Sequence, residues 1–259
     1  MIRISFCTIA FQDNKWGPGR VVEKPLRDIL PAIAAAGYDA AELWGPHVMD
    51  LRETELDDVA ALLAEAALAA AMVSPYFDFT TSAETAARSG RDGLRAIEIA
   101  RRLGAAGIRC FTGRAGSAEA SPEQWDRAVG GLRQLADAAG AHGIFLACET
   151  HRNNLMDTVD SSVELIERVE RPNVGLIFQP GTFQDDYLHA ADRLAPLARH
   201  VHAGNAGRAL ADGPMDYREV VAALRRAAFD GCISVEWMGP DPPAAAEREA
   251  RYLRELLAE

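Results

Sequence analysis

The chain has 259 residues and a formal net charge of −11 at pH 7, with 38 acidic residues against 27 basic ones. A chain of this length can bury a sizeable core, while its acidic balance repels a phosphate backbone and argues against nucleic acid as a partner. The four cysteines show no CxxC spacing and fall in strand-like runs, which favours buried, reduced thiols. No long apolar stretch predicts a membrane span or a leader, so we expect a soluble, cytoplasmic protein with no membrane partner.

Short β-branched or aromatic runs alternate with longer runs rich in Ala, Leu, Glu and Arg along the chain. This alternation predicts repeated βα units. The predicted strands are residues 2–9, 38–43, 71–74, 108–111, 144–149, 174–179, 200–202 and 232–236. The predicted helices are residues 25–36, 55–69, 85–103, 122–141, 161–169, 185–196, 217–228 and 244–257.

Local start and stop signals sharpen these boundaries. The run from Ser121 to Gln124 predicts a capping box with Pro at the first helical position, and Gly37, Gly104 and Gly143 follow predicted helices where a left-handed residue is favoured. Eight strand–helix pairs, with no GxGxxG after the first strand, predict an α/β protein with a (β/α)8 TIM barrel. We expect one domain over residues 1–259.

Four of the predicted strands end on residues that could face a metal ion. These residues are Glu149, Gln179, His202 and Glu236. In a barrel, the carboxyl ends of the parallel strands gather at one mouth, where barrel enzymes keep their chemistry. Because successive strand residues point to opposite faces, an inward Glu149 predicts that Ala147 also faces the interior and that Leu146 and Cys148 face the helices.

Four segments carry a family resemblance. The segments LACETHRNN, VGLIFQPGTF, RHVHAGNAGR and CISVEW, in this order, resemble the xylose isomerase-like TIM-barrel superfamily, in particular its sugar phosphate isomerase/epimerase branch. The resemblance implies a divalent metal, most commonly manganese, magnesium or cobalt, held at the ends of strands five to eight by Glu, Asp, His and Glu. Carried over to this chain, the ligands are Glu149, Gln179, His202 and Glu236.

The chain departs from the epimerases of that branch at several positions. Gln179 replaces the ligand Asp, and because an amide oxygen brings no charge, weaker metal binding is expected. The alternative is that Gln179 hydrogen-bonds the other ligands without touching the metal. Thr182 stands where these epimerases often carry a His, and Leu155 stands where some ketose 3-epimerases carry a substrate-contacting Glu. Arg208 matches their substrate-binding Arg. The chain therefore resembles the superfamily more securely than it resembles the ketose 3-epimerases.

The implied chemistry explains why these residue types occur together. Removing a proton beside a carbonyl generates an enediolate, and a divalent cation stabilises the developing charge. The resemblance implies that Glu149 and Glu236 are ligands that also serve as base and acid. His202 would be a neutral ligand oriented through its second nitrogen, and Arg208 would bind a substrate oxygen. His200, on the same face as His202, is predicted either to have a structural role or to support the ligands.

Other residues near the predicted mouth have two interpretations. His151 lies two residues after Glu149 on the same face, while Trp44 and His47 follow the second strand. We predict that His151, His47 and Trp44 contact the substrate, with ordinary loop packing as the alternative. Phe6 is expected to belong to the barrel core.

The first predicted function is a metal-dependent isomerase or epimerase of a small ketose, keto-acid or related sugar. The alternative is a lyase or dehydratase of the same superfamily, in which the same intermediate expels a β-leaving group from a keto-sugar, a keto-cyclitol or a dehydroshikimate-like acid. A non-catalytic sugar-binding descendant is the third, because Gln179 and Thr182 depart from the pattern. A nuclease like endonuclease IV would need more ligands than six histidines supply. The expected partner is a small carbohydrate, and a homo-oligomer stays open.

Overall fold

A computed structural model describes residues 1–15 and 21–259, and within them eight parallel strands close into a barrel in chain order. The strands are β1 (Arg3–Cys7), β2 (Ala40–Trp44), β3 (Ala69–Ser74), β4 (Gly107–Cys110), β5 (Phe145–Glu149), β6 (Val174–Phe178), β7 (Ala198–Ala203) and β8 (Cys232–Val235). The helices are α1 (Leu26–Ala35), α2 (Glu53–Glu65), α3 (Ala83–Leu103), α4 (Pro122–Gly140), α5 (Val159–Val169), α6 (Tyr187–Leu194), α7 (Tyr217–Arg226) and α8 (Pro242–Ala258). The predicted fold class, a (β/α)8 TIM barrel, is confirmed.

The first strand closes the barrel. Ser5 of β1 lies opposite Ala40 of β2 on one side and opposite Ser234 of β8 on the other. The hydroxyls of Ser5 and Ser234 hydrogen-bond to each other in the interior. Because every pairing of neighbouring strands is parallel, the carboxyl ends of all eight strands open at the same mouth.

The boundaries of the predicted elements shift in a few places. Ala69, predicted as the end of the second helix, begins β3 instead. The reason is that Ala67 adopts a left-handed φ of 53° just after α2, and the Ala69 amide then donates to the Asp39 carbonyl oxygen at 3.1 Å. The end of the first predicted strand is also wrong, since Thr8–Phe11 forms a 3-10 turn.

The predicted helix signals are confirmed. Ser121 and Gln124 form a reciprocal capping box at the start of α4, so two amides at the helix end gain acceptors. Gly37, Gly104 and Gly143 have φ angles of +88°, +64° and +69°. A side chain is strained at such angles, which explains why glycine ends these helical segments.

Most buried apolar side chains pack between the barrel wall and the helices around it. Leu146 and Cys148 belong to this layer, while Ala147 packs inside the barrel against Met72 and Ile177. The predicted alternation of faces along β5 is therefore confirmed. All four cysteines are buried and free. In the part of the chain that the structure describes, no helix is long and apolar enough to cross a membrane.

Candidate active site

Three predicted ligands come together at the carboxyl end of the barrel. One ligand atom from each of Glu149, His202 and Glu236 lies within 4.8 Å of the other two. Glu149 ends β5 and His202 lies in β7, and both are buried; Glu236 directly follows β8 and is partly buried. Two carboxylates and an imidazole at this spacing have the composition of a site for a divalent cation.

The fourth predicted ligand, Gln179, directly follows β6 and faces the same group. Its side-chain nitrogen Nε2 donates to Glu236 Oε2 at 3.1 Å, and its backbone amide donates to Thr150 Oγ1 at 3.0 Å. Its side-chain oxygen Oε1 is buried and, among the described residues, has no hydrogen-bond partner. A buried polar atom without a partner costs free energy, so this oxygen is suited to an additional ligand.

His202 presents its two ring nitrogens to different groups. Nε2 lies 3.0 and 3.1 Å from the two carboxylate oxygens of Glu42. Nδ1 lies 3.7 Å from Glu149 Oε1 and is also a buried atom without a hydrogen-bond partner in the described part of the chain. The two unpartnered atoms, Gln179 Oε1 and His202 Nδ1, thus belong to residues of one site.

Glu42, which the sequence reasoning missed, lies behind His202 on β2. Its carboxylate accepts hydrogen bonds from Ser74 Oγ at 2.6 Å and from His200 Nε2 at 3.0 Å, besides the contact with His202. Burial opposes its ionisation, but His202 and His200 outweigh that effect and hold the pKa of Glu42 well below its ordinary value. A charged residue within a strand of buried residues was the signal that could have found it, because a buried charge needs partners.

Arg109 on β4 was also missed, and it supplies a buried cation beside Glu149. Its Nη1 donates to Glu149 Oε2 at 3.3 Å, and its Nη2 donates to the carbonyl oxygens of Ser74 and Pro75, each at 3.2 Å. The guanidinium carbon lies 4.5 Å from the ring centre of Tyr76 and 4.8 Å from that of Phe111. These contacts fix a positive charge against a candidate ligand.

The buried charges move the pKa values of the two candidate catalytic carboxyl groups apart. Burial opposes the ionisation of Glu149, but His202 and Arg109 outweigh it and hold the pKa of this carboxyl below its ordinary value. Burial raises the pKa of Glu236, and the Glu149 carboxylate adds to this rise against the opposing effect of His202. Carboxyl groups with pKa values pushed in opposite directions are typical of acid–base pairs.

Basic side chains lie at the rim of this site. Arg208, His151 and Arg152 line, together with Gln179 and Glu236, a cavity of about 240 Å³. His151 is exposed, and its Nδ1 lies 2.7 Å from the Arg152 carbonyl oxygen. Within the described residues no carboxylate pairs with the guanidinium of Arg208 or Arg152. Two cations beside the candidate ligands are available to an anionic substrate.

His47 and Trp44, predicted to contact substrate, are both buried beside the mouth. His47 Nδ1 lies 3.1 Å from Thr8 Oγ1, and its Nε2 lies 3.0 Å from Gln12 Nε2. Both ring nitrogens already have protein partners, and the contact of His47 with substrate stays a prediction. The indole nitrogen of Trp44 donates to the Tyr76 hydroxyl at 3.0 Å, and its contact with substrate stays a prediction.

The buried His47 predicts a pH-dependent stability. Burial lowers the pKa of His47 from 6.5 to about 4. Between these two pH values, His47 is therefore mostly protonated in the unfolded chain and mostly neutral in the folded chain. The free energy of unfolding should therefore fall by about 3 kcal/mol between pH 7 and pH 4 through this group. Urea unfolding at both values should show a smaller fall in His47→Gln than in wild type. His142 is exposed, so His142→Gln should lose as much stability as wild type between the two pH values. If His47→Gln also lost as much stability as wild type, the expectation would be wrong.

The sequence model of the xylose isomerase-like TIM barrel family matches residues 30–256. The chain belongs to this family. The superfamily resemblance seen in the sequence is thereby confirmed. One relative, a 3-dehydroshikimate dehydratase from Bacillus anthracis, is 25% identical, and the match covers 97% of this chain and 96% of that protein.

Solved structures of other xylose isomerase-like barrels have the same fold. A probable 3-DHS dehydratase from Bacillus anthracis gives a TM-score of 0.80 at 24% identity, covering 98% of this chain and 99% of that one. An L-ribulose 3-epimerase gives a TM-score of 0.83 at 21% identity, and the match covers 100% of this chain and 95% of that one. A Mycobacterium smegmatis protein in complex with magnesium gives a TM-score of 0.82 at 18% identity, and the match covers 99% of this chain and 97% of that one. Dehydratase and epimerase barrels are thus about equally similar in fold.

Proposed function

We propose that the protein is a divalent-metal-dependent dehydratase, a lyase that removes water from a cyclic β-hydroxy ketone bearing a carboxylate. 3-Dehydroshikimate represents this substrate class. The observation that carries the proposal is the full-length similarity, at 25% identity, to a 3-dehydroshikimate dehydratase. The isomerase or epimerase that was predicted first shares the initial proton removal and takes second place.

Two positions that distinguish this chain from ketose 3-epimerases support elimination over epimerisation. Leu155 is fully buried in the apolar core, and its backbone amide donates to Thr112 Oγ1 at 3.0 Å. Thr182 Oγ1 donates to the Thr150 carbonyl oxygen at 3.0 Å. Leu155 therefore offers no polar group to a sugar, and the Thr182 hydroxyl hydrogen is already used within the protein.

The residues of the site fit a divalent cation. Glu149, Glu236, His202 Nδ1 and Gln179 Oε1 would hold it, and the last two are among the buried atoms that lack a partner in the described part of the chain. Oxygen ligands with one imidazole suit manganese, magnesium or cobalt. When bound, the cation would supply electrostatic stabilisation for the oxyanion that develops from the substrate carbonyl. Because Gln179 is neutral, we expect weaker binding than a third carboxylate would give.

The two carboxyl groups can move the protons that the reaction requires. Glu149, held ionised by His202 and Arg109, takes the proton from the carbon beside the ketone, and the C–H electron pair forms the enolate. The enolate electrons then re-form the carbonyl and make the new carbon–carbon double bond as the bond to the β-hydroxyl breaks. Glu236, whose buried carboxyl has a raised pKa, donates the proton with which this hydroxyl leaves as water. Exchange with solvent restores both groups.

The charge distribution supports an acidic substrate. The chain carries a net charge of −11, yet Arg152 and Arg208 stand at the rim of the site and Arg109 stands inside it. Guanidinium groups bind carboxylates through paired donors, so they would orient a keto-acid ring over the two carboxyl groups.

The test is a product analysis with protein loaded with manganese, magnesium or cobalt. With 3-dehydroshikimate we expect metal-dependent loss of one water. Mass spectrometry detects this loss, and ultraviolet absorbance detects the aromatic product. A parallel panel of ketoses, including ribulose and fructose, is run in deuterated water to detect epimerisation. Epimerised ketose with unchanged 3-dehydroshikimate would overturn the proposal in favour of the epimerase. Protein that binds no divalent metal would favour the sugar-binding descendant.

A further inference from the structure

The carboxylate of Glu42 is surrounded by hydrogen-bond donors on the side of the site away from the mouth. Ser74 Oγ and His202 Nε2 lie 2.6 and 3.0 Å from its Oε1. Cys7 Sγ and His200 Nε2 lie 3.4 and 3.0 Å from its Oε2. All of these side chains are buried, so solvent does not replace any of the contacts.

These contacts determine which nitrogen of each histidine carries a proton. An ionised carboxylate only accepts hydrogen bonds, and it has about four lone-pair positions. Four protein groups occupy them, and each contact is favourable only if the protein group is the donor. His202 must therefore keep its proton on Nε2, so Nδ1 is the ring nitrogen left for a cation, which would have to displace any proton there. This Nδ1 is the atom that faces Glu149 and lacks a hydrogen-bond partner among the described residues.

We propose that Glu42 is a positioning residue that selects the tautomer of His202 and thereby decides where a divalent cation binds. The inference deepens the proposed function and rests on its metal site. Glu42 itself does not touch substrate or cation in this arrangement. A carboxylate that accepts from the second nitrogen of a ligand histidine fixes the ring and raises its basicity.

Two groups of residues share His202, and Glu42 discriminates between them. Cys7, Glu42 and His202 have potential ligand atoms within 4.8 Å of one another, as do Glu149, His202 and Glu236. In the first group the carboxylate already accepts from Cys7 and His202, so the cation would have to break those hydrogen bonds. In the second group His202 Nδ1 has no hydrogen-bond partner among the described residues that a cation would have to replace. The cation is therefore expected at the second group, with Cys7 as a bystander.

Manganese titration by calorimetry tests this assignment in wild type, Glu42→Gln, Ser74→Ala and Cys7→Ser. A Gln at position 42 replaces one acceptor oxygen by an NH₂ donor that would face histidine N–H groups. We expect manganese affinity to fall about 10- to 100-fold in Glu42→Gln. Ser74→Ala removes one donor to Glu42 and Cys7→Ser replaces a thiol donor by a hydroxyl, but both keep the carboxylate, so they should bind manganese as wild type does. Equal weakening in Ser74→Ala would mean that general packing is responsible and would overturn the proposal.

The histidine tautomer provides a readout that does not depend on affinity or on the folding of a variant. In wild-type protein loaded with diamagnetic magnesium, ¹⁵N–¹H correlation spectra should show a protected proton on Nε2 of His202, assigned by its loss in His202→Asn. A proton on Nδ1 instead would overturn the proposal. Wild type without measurable metal binding would refute the proposed metal site, whereas wild type and Glu42→Gln with equal affinity would refute only the role of Glu42.

Discussion

Glu236→Gln is expected to abolish turnover of the verified substrate, with kcat lowered by about 10²- to 10⁴-fold. The amide keeps the size of the side chain and can still accept the hydrogen bond that Gln179 Nε2 donates at 3.1 Å. It cannot hold and release the proton that the leaving hydroxyl requires. Steady-state kinetics measures the loss, and thermal unfolding should show a folded protein with a Tm close to wild type.

Metal content separates the two roles of Glu236 in this experiment. A Gln can ligate through its oxygen but brings no charge, so we expect weaker manganese binding that excess metal overcomes. Turnover should stay low at saturating manganese, because metal does not restore the missing proton. The matched control is Glu167→Gln on the exposed face of α5, which should leave kcat unchanged. Full activity of Glu236→Gln at saturating metal would remove Glu236 from acid catalysis.

The barrel and three of its candidate ligands could be predicted because they depend on local patterns. Each strand is recognisable from its own residues, and parallel strands of a barrel end at one mouth. Glu149, His202 and Glu236 therefore had to approach one another even though they lie far apart in the chain. The boundary between α2 and β3 was harder to predict, because the left-handed residue that follows the helix, Ala67, is not a glycine.

The buried partners of these ligands could not be derived in the same way. Glu42 contacts His200 and His202 across 158 and 160 residues of sequence, and the two strands meet across the interior rather than side by side. Arg109 contacts Glu149 from the adjacent strand, with its guanidinium close to two rings supplied by the loops after β3 and β4. Loop conformations of this kind do not follow from hydrophobic periodicity. A charge inside a buried strand indicates only that a partner exists.

The partners of the three buried carboxyl groups differ. Glu42 lies within hydrogen-bond distance of two histidines, and Glu149 is paired with Arg109. Glu236 has no cation of its own within hydrogen-bond distance among the described residues and contacts the neutral Gln179. This difference explains why the pKa of Glu236 is raised while that of Glu149 is lowered. The proposed function uses this difference, with Glu236 as the proton donor and Glu149 as the acceptor.

Arg109→Met is expected to lower the free energy of unfolding by about 3–5 kcal/mol, because it leaves the Glu149 carboxylate buried without its cation. The methionine fills much of the space between Tyr76 and Phe111 but cannot donate to the carbonyl oxygens of Ser74 and Pro75. Urea unfolding of metal-free protein measures the loss. Adding Glu149→Gln to the same chain removes the stranded charge and should recover part of the stability.

The exposed pair between Arg171 and Asp137, joined at 2.6 Å, provides the control for the loss of a cation as such. Arg171→Met should cost less than about 1 kcal/mol, since solvent screens an exposed pair and hydrates the remaining carboxylate. A loss of this small size in Arg109→Met would mean that Glu149 does not need its cation and takes up a proton instead. In that case Glu149 could not be the ionised base, and the acid–base assignment of the two carboxyl groups would have to be reversed. A large loss that Glu149→Gln partly recovers supports the opposite conclusion, that Arg109 holds Glu149 ionised for proton removal.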